Sequence, residues 1–319
     1  MDTGESKASS PHLTVVIPTY NMGDMVGEAI KSVLRQTFTD LELIVVDDGS
    51  TDGTQERLHA IDDPRMRVVA LERRGGQAAA MNAAIKEARG RYVAFLDADD
   101  VWLPEKMELQ LERMETVGDQ GWDRTYCGSR ILTVDGRSVE RKATVEGDLR
   151  YDLLSLSIEI GGNSTLVMRK NHLEDLGGFD ETFPRHTDYD MVMRYCGVSG
   201  FAAVEEAMVI KHGFNIPDGD LYAEVKERFL SKFGDDISSF GPVRARHIRS
   251  AHWLDVAYVN LAQHKTLGGM RYLMRALSHE PVKPPKKYFE MGGFLLVSVL
   301  RVDINRLIGK LMPTSSLQY

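Results

Sequence analysis

Short apolar runs alternate with segments of helical periodicity over the first hundred residues, and this alternation constrains the fold more strongly than any other feature of the sequence. Each of the runs LTVVI, LELIVV, MRVVAL and YVAFL is followed by a stretch that has the apolar spacing of an amphipathic helix. A strand that is apolar at nearly every position is typical of a parallel sheet, because helices cover both faces of such a sheet. The pattern therefore predicts an α/β fold with a doubly wound, mostly parallel sheet and helices on both faces.

We expect three regions in the chain. Residues 1–12 are polar and lack an apolar stretch, so we predict a disordered N-terminal tail that is not a signal peptide, and a cytoplasmic protein. Residues 13–240 form the α/β domain, in which two segments after Trp122 resemble antiparallel strands around a turn at residues 134–137. Residues 241–319 form a basic, mainly helical C-terminal region.

The charge of the chain argues against one class of partner and indicates another. A formal net charge of -8 argues against a nucleic-acid-binding protein, which needs a basic surface. Residues 241–319 nevertheless contain 12 Lys and Arg against 4 Asp and Glu, a net charge of +8, so the rest of the chain carries -16. Such an asymmetry indicates that the basic region contacts a partner surface.

The basic region contains a segment, residues 283–311, that suits a membrane surface. Its uncharged run at residues 291–300 is shorter than the roughly 20 residues that a helix needs to span a bilayer. Residues 301–311 combine apolar positions with Arg and Lys, which is typical of a helix lying on anionic lipid. We expect either peripheral contact with the cytoplasmic face of a membrane, or packing of this segment on the α/β domain or on a second copy of the chain.

Polar clusters follow three of the predicted strands at the point where each strand ends. The sequences are PTYN at residues 18–21, DDGS at 47–50 and DADD at 97–100. Because the carboxyl ends of parallel strands meet at one edge of an α/β sheet, where such proteins bind ligands, we expect these clusters to converge. Asp47 and Asp48 could instead cap a helix, and this alternative is stronger for Asp47.

The aspartates of the DADD cluster lie close enough to repel one another, so the cluster requires a compensating positive charge. Asp97 and Asp99 are two residues apart, and a bend in the chain would turn both toward one cation. A ligand set made only of oxygen favours Mg²⁺ or Mn²⁺ over zinc, and Mg²⁺ in proteins commonly binds substrate phosphates as well. We therefore predict a Mg²⁺ or Mn²⁺ site that carries a diphosphate, and we expect Asp100 to cap the helix that starts near Pro104.

Four segments, in this order, resemble the family 2 glycosyltransferases with the GT-A fold. They begin VVIPTYNMGDM at residues 15–54, GGQAAAMN at 75–100, LPEKM at 103–107 and GGFDETFPRHTDYD at 177–194, and the resemblance covers about residues 13–213. It implies a GT-A type fold and inverting transfer of a sugar from a nucleotide-diphosphate donor, with UDP as the most common carrier, to a hydroxyl of a glycan or lipid-linked acceptor. It also implies dependence on Mn²⁺ or Mg²⁺.

The resemblance implies roles for individual residues of a donor site. In this family, residues after the first strand and in the DDGS turn hold the nucleobase and ribose, a glycine-containing loop with the next helix lies near the donor, and a DXD motif binds donor and metal. The matching donor residues are Pro18, Thr19, Tyr20, Asp48, Gly76, Ala80, Asn82, Asp97 and Ala98, and the matching metal ligands are Asp97 and Asp99. His212 follows an expected edge strand, where similar enzymes use a basic residue on the diphosphate, although a structural role is an alternative.

The resemblance also implies a catalytic base. Family members carry an acidic pair whose aspartate is the general base, and in HTDYD this residue is Asp188, while Thr187 occupies the usual glutamate position. On the local pattern alone, Asp188 could instead cap the helix that follows. Asp190 is expected to cap or to pair within that helix.

Several alternatives remain open at this point. Trp102 could form a wall of the acceptor pocket or belong to the core, and Lys106 could be an exposed helical lysine or a charge partner of the aspartates. At the level of function, the alternatives are a nucleotidyltransferase and a non-catalytic scaffold that binds a nucleotide sugar.

Overall fold

The computed structural model describes residues 10–133, 137–212 and 217–279. The basic segment 283–311 lies outside these ranges, as do most of the expected N-terminal tail and of the expected hairpin turn. Within the described ranges, each helix is too short or too polar to span a bilayer.

The first four strands form the parallel part of the sheet. β1 pairs in parallel with β2 on one side and with β4 on the other, and β2 pairs in parallel with β3, which confirms the doubly wound pattern. In chain order, the elements are β1 (Leu13–Thr19), α1 (Val26–Leu34), β2 (Leu41–Asp47), α2 (Thr54–His59), β3 (Met66–Ala70), α3 (Gln77–Glu87) and β4 (Tyr92–Phe95).

The second part of the sheet is mixed. Its elements are β5 (Val101–Trp102), α4 (Lys106–Thr116), β6 (Arg124–Leu132), β7 (Ser138–Arg141), α5 (Arg150–Leu154), β8 (Val167–Arg169), α6 (Lys170–Asp175), α7 (Thr187–Cys196) and β9 (Ala202–His212). The strand order is β3-β2-β1-β4-β8-β6-β9-β5, and β7 pairs with β6 outside this path. β6 and β7 are antiparallel, as the sequence predicts for the segments after Trp122. The sheet thus consists of a parallel half, β1 to β4, and a second half that contains both parallel and antiparallel pairs.

Alternate residues of the parallel strands enter two different cores. Ile17 packs on one face of the sheet with apolar residues of α1 and α4. Val16 and Phe95 pack on the other face with residues of α3 and α7. Consecutive side chains of a strand point to opposite faces, so helices on both sides explain why these strands are apolar at nearly every position.

Four helices complete the described chain, and they pack on the sheet domain. They are α8 (Gly219–Lys232), α9 (Gly234–Ser239), α10 (Pro242–Ala262) and α11 (Thr266–His279). One apolar core continues from the sheet into these helices through Phe229, Ile237 and Ile248, and Trp253 belongs to a smaller cluster between α8, α10 and α11. The predicted helical character is confirmed as far as His279.

Gly90 permits close contact between the start of β4 and the backbone of β1. A Cβ atom at this position would lie 2.4 Å from the backbone nitrogen of Thr14 and 2.6 Å from the carbonyl carbon of Leu13, closer than non-bonded atoms approach. We predict that Gly90→Ala lowers the free energy of unfolding by about 1–3 kcal/mol, because the strand must shift to accept the methyl group. Urea denaturation measures this difference.

Gly118→Ala is the matched control for Gly90→Ala. A Cβ atom at Gly118 would meet no atom within 4 Å. We therefore expect the free energy of unfolding of this variant to equal that of the wild type or to exceed it by up to about 1 kcal/mol, because alanine lowers the conformational entropy of the unfolded chain. Equal stability of the two variants would contradict the close contact at Gly90.

Candidate active site

The first polar cluster lies where β1 and β2 end side by side. The backbone N–H of Asp48 donates to the carbonyl oxygen of Thr19 at 2.9 Å. Pro18 and Thr19 are buried, and Oγ1 of Thr19 has no hydrogen-bond partner in the described part of the chain. The guanidinium carbon of Arg74 lies 4.0 Å from the centre of the Tyr20 ring. These residues therefore lie at the sheet edge where α/β proteins bind ligands.

The two aspartates of the DDGS turn have different contacts. The carboxylate of Asp47 accepts from the backbone N–H of Ser50 at 3.0 Å and thereby holds the turn in shape. The carboxylate of Asp48 accepts from the backbone N–H groups of Gly75 at 2.6 Å and of Gly76 at 2.8 Å. Asp48 thus fastens the loop before α3 to the end of β2. Neither aspartate caps the following helix, because the N-cap residue of α2 is Gly53.

The start of α3 contacts the GGFDE segment. Gly76 precedes α3 with a φ of 91°, which L side chains rarely adopt. Oδ1 of Asn82 accepts from the N–H of Phe179 at 2.7 Å, and its Nδ2 donates to the carbonyl oxygen of Phe179 at 2.9 Å and to Glu181 at 2.8 Å. The Asn82 amide is therefore engaged within the protein. A Cβ atom at Gly178 would lie 2.3 Å from Oδ1 of Asn82, which explains why a glycine precedes Phe179.

The acidic turn, residues 97–100, gathers three carboxylates at the end of β4. Asp97, Asp99 and Asp100 each place an oxygen within 4.8 Å of the others, and Ala98 between them is buried. Oδ1 of Asp97 accepts from Nε2 of Gln77 at 2.7 Å. Burial, and then the charge of Asp97, raise the pKa of Asp99. The close approach of like charges that the sequence predicts is therefore present.

Asp100 is buried and forms an ion pair. Its Oδ2 accepts from the ammonium of Lys211 and from the hydroxyl of Ser164. Burial raises the pKa of Asp100 to about 6, against the opposing effect of Lys211. The prediction that Asp100 caps the helix near Pro104 is wrong. The helix α4 begins at Lys106 and its N-cap residue is Glu105. The carboxylate of Asp100 is buried instead, and a buried carboxylate requires a charged partner.

Lys211 supplies the acidic turn with a positive charge from the protein itself. It lies near the end of β9, and its Nζ is 3.7 Å from Oδ2 of Asp97. Although burial favours the neutral amine, the charges of Asp97 and Asp100 raise the pKa of Lys211. Sequence reasoning selected the neighbouring His212 and missed Lys211, for which the available signal was a lysine at the end of the apolar run MVI.

His212 also lies beside the acidic turn. Its Nδ1 is 2.8 Å from the backbone carbonyl oxygen of Asp99. The structure therefore brings the predicted diphosphate contact and the predicted metal ligands together, although they are more than a hundred residues apart in sequence.

The acidic turn fits a hard divalent cation. Its ligands are carboxylate oxygens, which Mg²⁺ and Mn²⁺ prefer, and three carboxylates face one lysine, so the turn keeps a net negative charge. Asp100 is committed to Lys211 and Ser164, whereas the carboxylate of Asp99 accepts no hydrogen bond from another residue of the described ranges. Asp97 and Asp99 are therefore the residues that would hold the ion.

A cavity of about 460 Å³ extends between the acidic turn and the start of α7, and both Asp97 and Asp188 line it. Asp188 lies in the first turn of α7. Burial, followed by the charge of Asp97, raises the pKa of Asp188, so its carboxylate binds a proton more readily than an exposed aspartate does. The alternative that Asp188 is the N-cap is wrong, because α7 begins at Thr187 and the N-cap residue is His186.

Asp190 and Trp102 have structural roles. Asp190 is fully buried and pairs with Arg194 at 2.9 Å and with Lys232, in agreement with the pairing expected within α7. Trp102 belongs to the core, and its Nε1 donates to the carbonyl oxygen of Ser164 at 2.8 Å. Neither side chain borders the cavity.

Lys106 follows neither of its two sequence interpretations. It is fully buried, donates to Oε1 of Gln110 at 2.6 Å and lies 4.0 Å from the centre of the Trp102 ring. Burial lowers the pKa of Lys106 to about 8. The helical pattern of LPEKM does not reveal this burial, because the strands β6 and β9, which pack against α4, follow it later in the chain.

The comparison with protein families decides the identity of the fold. The model of glycosyl transferase family 2 matches residues 14–177. The chain belongs to this family. The family and the GT-A fold predicted from the sequence are thereby confirmed.

The chain is also similar to proteins of known name. The putative teichuronic acid biosynthesis glycosyltransferase TuaG of Bacillus subtilis is 36% identical over 162 residues, which are 50% of this chain and 63% of TuaG. The succinoglycan biosynthesis protein ExoO of Rhizobium meliloti is 32% identical over 206 residues, which are 61% of this chain and 58% of ExoO. The chain thus spans about 60% of the length of these two relatives.

Solved structures support the fold. The crystal structure of S. aureus TarS 1-349 in complex with UDP has a TM-score of 0.55 and 19% sequence identity, and the match covers 84% of this chain and 88% of that chain. At 19% sequence identity, this similarity shows that the two chains share a fold and carries no information on substrate.

Removal of the charge of Lys211 tests the ion pair at the acidic turn. Lys211→Met keeps the length of the side chain but leaves the buried carboxylate of Asp100 without its cation. We predict a loss of about 1–3 kcal/mol in the free energy of unfolding, measured by chemical denaturation in EDTA.

Lys142→Met serves as the control for Lys211→Met. The ion pair of Lys142 with Glu205 lies on the surface, with both side chains more than half exposed, so its loss should change stability by less than about 1 kcal/mol. If Lys211→Met were no more destabilising than this control, Lys211 would not be the counter-ion that Asp100 requires.

Proposed function

We propose that the chain is a metal-dependent, inverting glycosyltransferase that moves a sugar from a UDP-sugar to a hydroxyl group of a glycan or lipid-linked acceptor. The observation that carries this proposal is that Asp97 of the acidic turn and Asp188 of α7 line one cavity. A donor diphosphate held near Asp97 and an acceptor hydroxyl near Asp188 would meet within this space, and such positioning lowers the entropic cost of reaction.

The donor nucleoside is proposed to bind at the ends of β1 and β2. Pro18, Thr19, Tyr20 and Asp48 lie there, and Oγ1 of Thr19 is a buried hydroxyl that has no hydrogen-bond partner among the described residues. Gly76 and Asn82 would shape the adjoining loop, since Asp48 holds Gly76 and Asn82 holds the GGFDE segment.

Named relatives support UDP and a glycan acceptor. TarS has been solved with UDP, and an Escherichia coli relative, 39% identical over 102 residues that are 32% of this chain and 40% of that protein, is named UDP-Glc:alpha-D-GlcNAc-diphosphoundecaprenol beta-1,3-glucosyltransferase WfgD. The names of TuaG and ExoO refer to the biosynthesis of teichuronic acid and succinoglycan. These names favour a role in polysaccharide biosynthesis.

The diphosphate is proposed to lie at the acidic turn. Asp97 and Asp99 would hold Mn²⁺ or Mg²⁺, which when bound neutralises negative charge on the leaving diphosphate. Lys211 contributes a positive charge at the same turn. His212, which is fixed against the carbonyl oxygen of Asp99, is the proposed side-chain contact to the diphosphate.

Asp188 is proposed to act as the general base. As the acceptor oxygen forms its bond to the anomeric carbon, the bond from that carbon to the diphosphate oxygen breaks, and the hydroxyl proton passes to the carboxylate of Asp188. Attack from the side opposite the leaving group inverts the anomeric centre. The raised pKa of Asp188 favours this transfer, because a carboxylate that binds protons more strongly is a better base.

The basic segment 283–311 is proposed to contact either the cytoplasmic face of a membrane or a second copy of the chain. The support for this is its composition, since the segment lies outside the described residues. A membrane contact would suit a lipid-linked acceptor.

Replacement of the proposed base tests the mechanism. We predict that Asp188→Asn lowers the rate of sugar transfer by about 10²–10⁴-fold, because the amide cannot take the hydroxyl proton. Binding of UDP in the presence of Mn²⁺ should stay within about twofold of the wild type, since the base touches the acceptor rather than the nucleotide. Isothermal titration calorimetry and a UDP-release assay with a panel of UDP-sugars and glycan acceptors measure the two effects.

Asp175→Asn is the control for Asp188→Asn, because Asp175 is an exposed residue at the end of α6. It should bind and transfer as the wild type does. Unchanged transfer in Asp188→Asn would remove the assignment of the base, and a wild type that binds UDP-sugars without turnover would favour the scaffold alternative.

A further inference from the structure

Asn163 occupies a tight turn that the sequence motifs do not include. The turn begins with Gly161 and Gly162, whose φ angles are 69° and 81°, and continues into a single 3₁₀ turn over Asn163–Thr165. Two successive glycines permit these positive φ angles. A Cβ atom at Gly161 would lie 2.8 Å from a methyl carbon of Thr165, so the turn is also closely packed.

The neighbours of Asn163 place it between the two halves of the proposed site. On one side, the hydroxyl of Ser164 accepts from the backbone N–H of Asp97 at 3.0 Å. On the other side, a Cβ atom at Gly162 would lie 3.9 Å from Oδ2 of Asp188. Asn163 therefore lies between Ser164, which anchors the acidic turn, and Gly162, which borders the proposed base Asp188.

The side chain of Asn163 is buried in this position, and its amide oxygen is unpaired within the described residues. It lines the same cavity as Asp97 and Asp188, and its residue exposure is only 5%. Its Oδ1 has no hydrogen-bond partner among the residues that the structure describes. Buried polar groups in proteins are nearly always paired, so an unpaired amide oxygen at a cavity wall points to a ligand group that pairs with it.

The chemistry of the amide oxygen selects the ligand group. An amide oxygen accepts hydrogen bonds and therefore needs a donor. The phosphate oxygens of an ionised diphosphate are also acceptors, so they cannot donate a hydrogen bond to it. The nucleoside is assigned to the ends of β1 and β2, the cation to Asp97 and Asp99, and the acceptor hydroxyl to Asp188. What remains between the diphosphate and the base is the sugar, and each of its hydroxyl groups is a hydrogen-bond donor.

We propose that the side-chain amide of Asn163 binds a hydroxyl group of the sugar that is transferred, and that Asn163 is a residue that determines donor specificity. The inference rests on the proposed function, because it requires a nucleotide sugar in the cavity. In this proposal Asn163 contacts the sugar, and other residues bind the nucleotide and the diphosphate.

The test compares the full-length wild type with Asn163→Ala in calorimetric titrations containing Mn²⁺ and no acceptor. The ligands are UDP alone and the UDP-sugar that the wild type binds most tightly among UDP-glucose, UDP-galactose and UDP-N-acetylglucosamine. We expect the Kd of UDP to stay within about twofold, while the Kd of the UDP-sugar rises by about five- to tenfold, as for the loss of one neutral hydrogen bond. Without ligand, the melting temperature should not fall, because Oδ1 of Asn163 has no hydrogen bond to lose with any residue that the structure describes.

Asn171→Ala is the matched control, since Asn171 is exposed on α6 and outside the cavity. It should match the wild type with both ligands. Equal Kd values of the UDP-sugar for Asn163→Ala and the wild type would overturn the inference and leave the proposed function in place.

Two further outcomes are distinguishable. Equal weakening of UDP and of the UDP-sugar by Asn163→Ala would overturn the inference, because the amide would then act on the cation or the diphosphate. If the wild type bound neither UDP nor any UDP-sugar, the proposed function itself would fail, and the inference with it.

Discussion

Repulsion among the carboxylates of the acidic turn is the constraint around which the site is built. Asp97, Asp99 and Asp100 approach within 4.8 Å of one another at the end of β4. Charges this close destabilise a protein unless cations or hydrogen-bond donors offset them. Lys211 and Ser164 satisfy Asp100, and Gln77 donates to Asp97. One lysine balances one of three carboxylates, so the turn keeps a net negative charge that suits the proposed cation.

A buried polar network holds this turn in place from behind. Ser164 links the acidic turn to Trp102, whose indole N–H donates to the Ser164 carbonyl oxygen. The ammonium of Lys106 lies over the Trp102 ring and donates to Gln110, which in turn donates to Thr165 next to Ser164. Such networks favour one arrangement of the groups they join, because each unpaired member would be costly in a buried setting. The same turn carries Asn163, so one support positions both the acidic turn and the proposed sugar contact.

The sequence predicted those parts of the structure that depend on local patterns. The parallel strands, the strand-end clusters and the acidic turn could be recognised because apolar periodicity and short motifs reflect local structure. Lys211 was missed because it reaches Asp100 across 111 residues of sequence. The assignment of Asp100 as a helix cap was wrong for the same reason, since the local pattern contains no sign of its distant partner. Asn163 resembles an ordinary loop asparagine until the fold places its turn between Asp97 and Asp188.

The most direct test of the account is the dependence of UDP binding on Mn²⁺ when Asp97 and Asp99 are both alanine. If these carboxylates hold the cation that carries the diphosphate, calorimetry should show that Mn²⁺ strengthens UDP binding to the wild type. The same titration of the double variant should show little or no effect of Mn²⁺ and affinity lower by about tenfold or more. Equal, Mn²⁺-dependent affinity of the two proteins would contradict the central claim, because the acidic turn would then have no part in binding the donor.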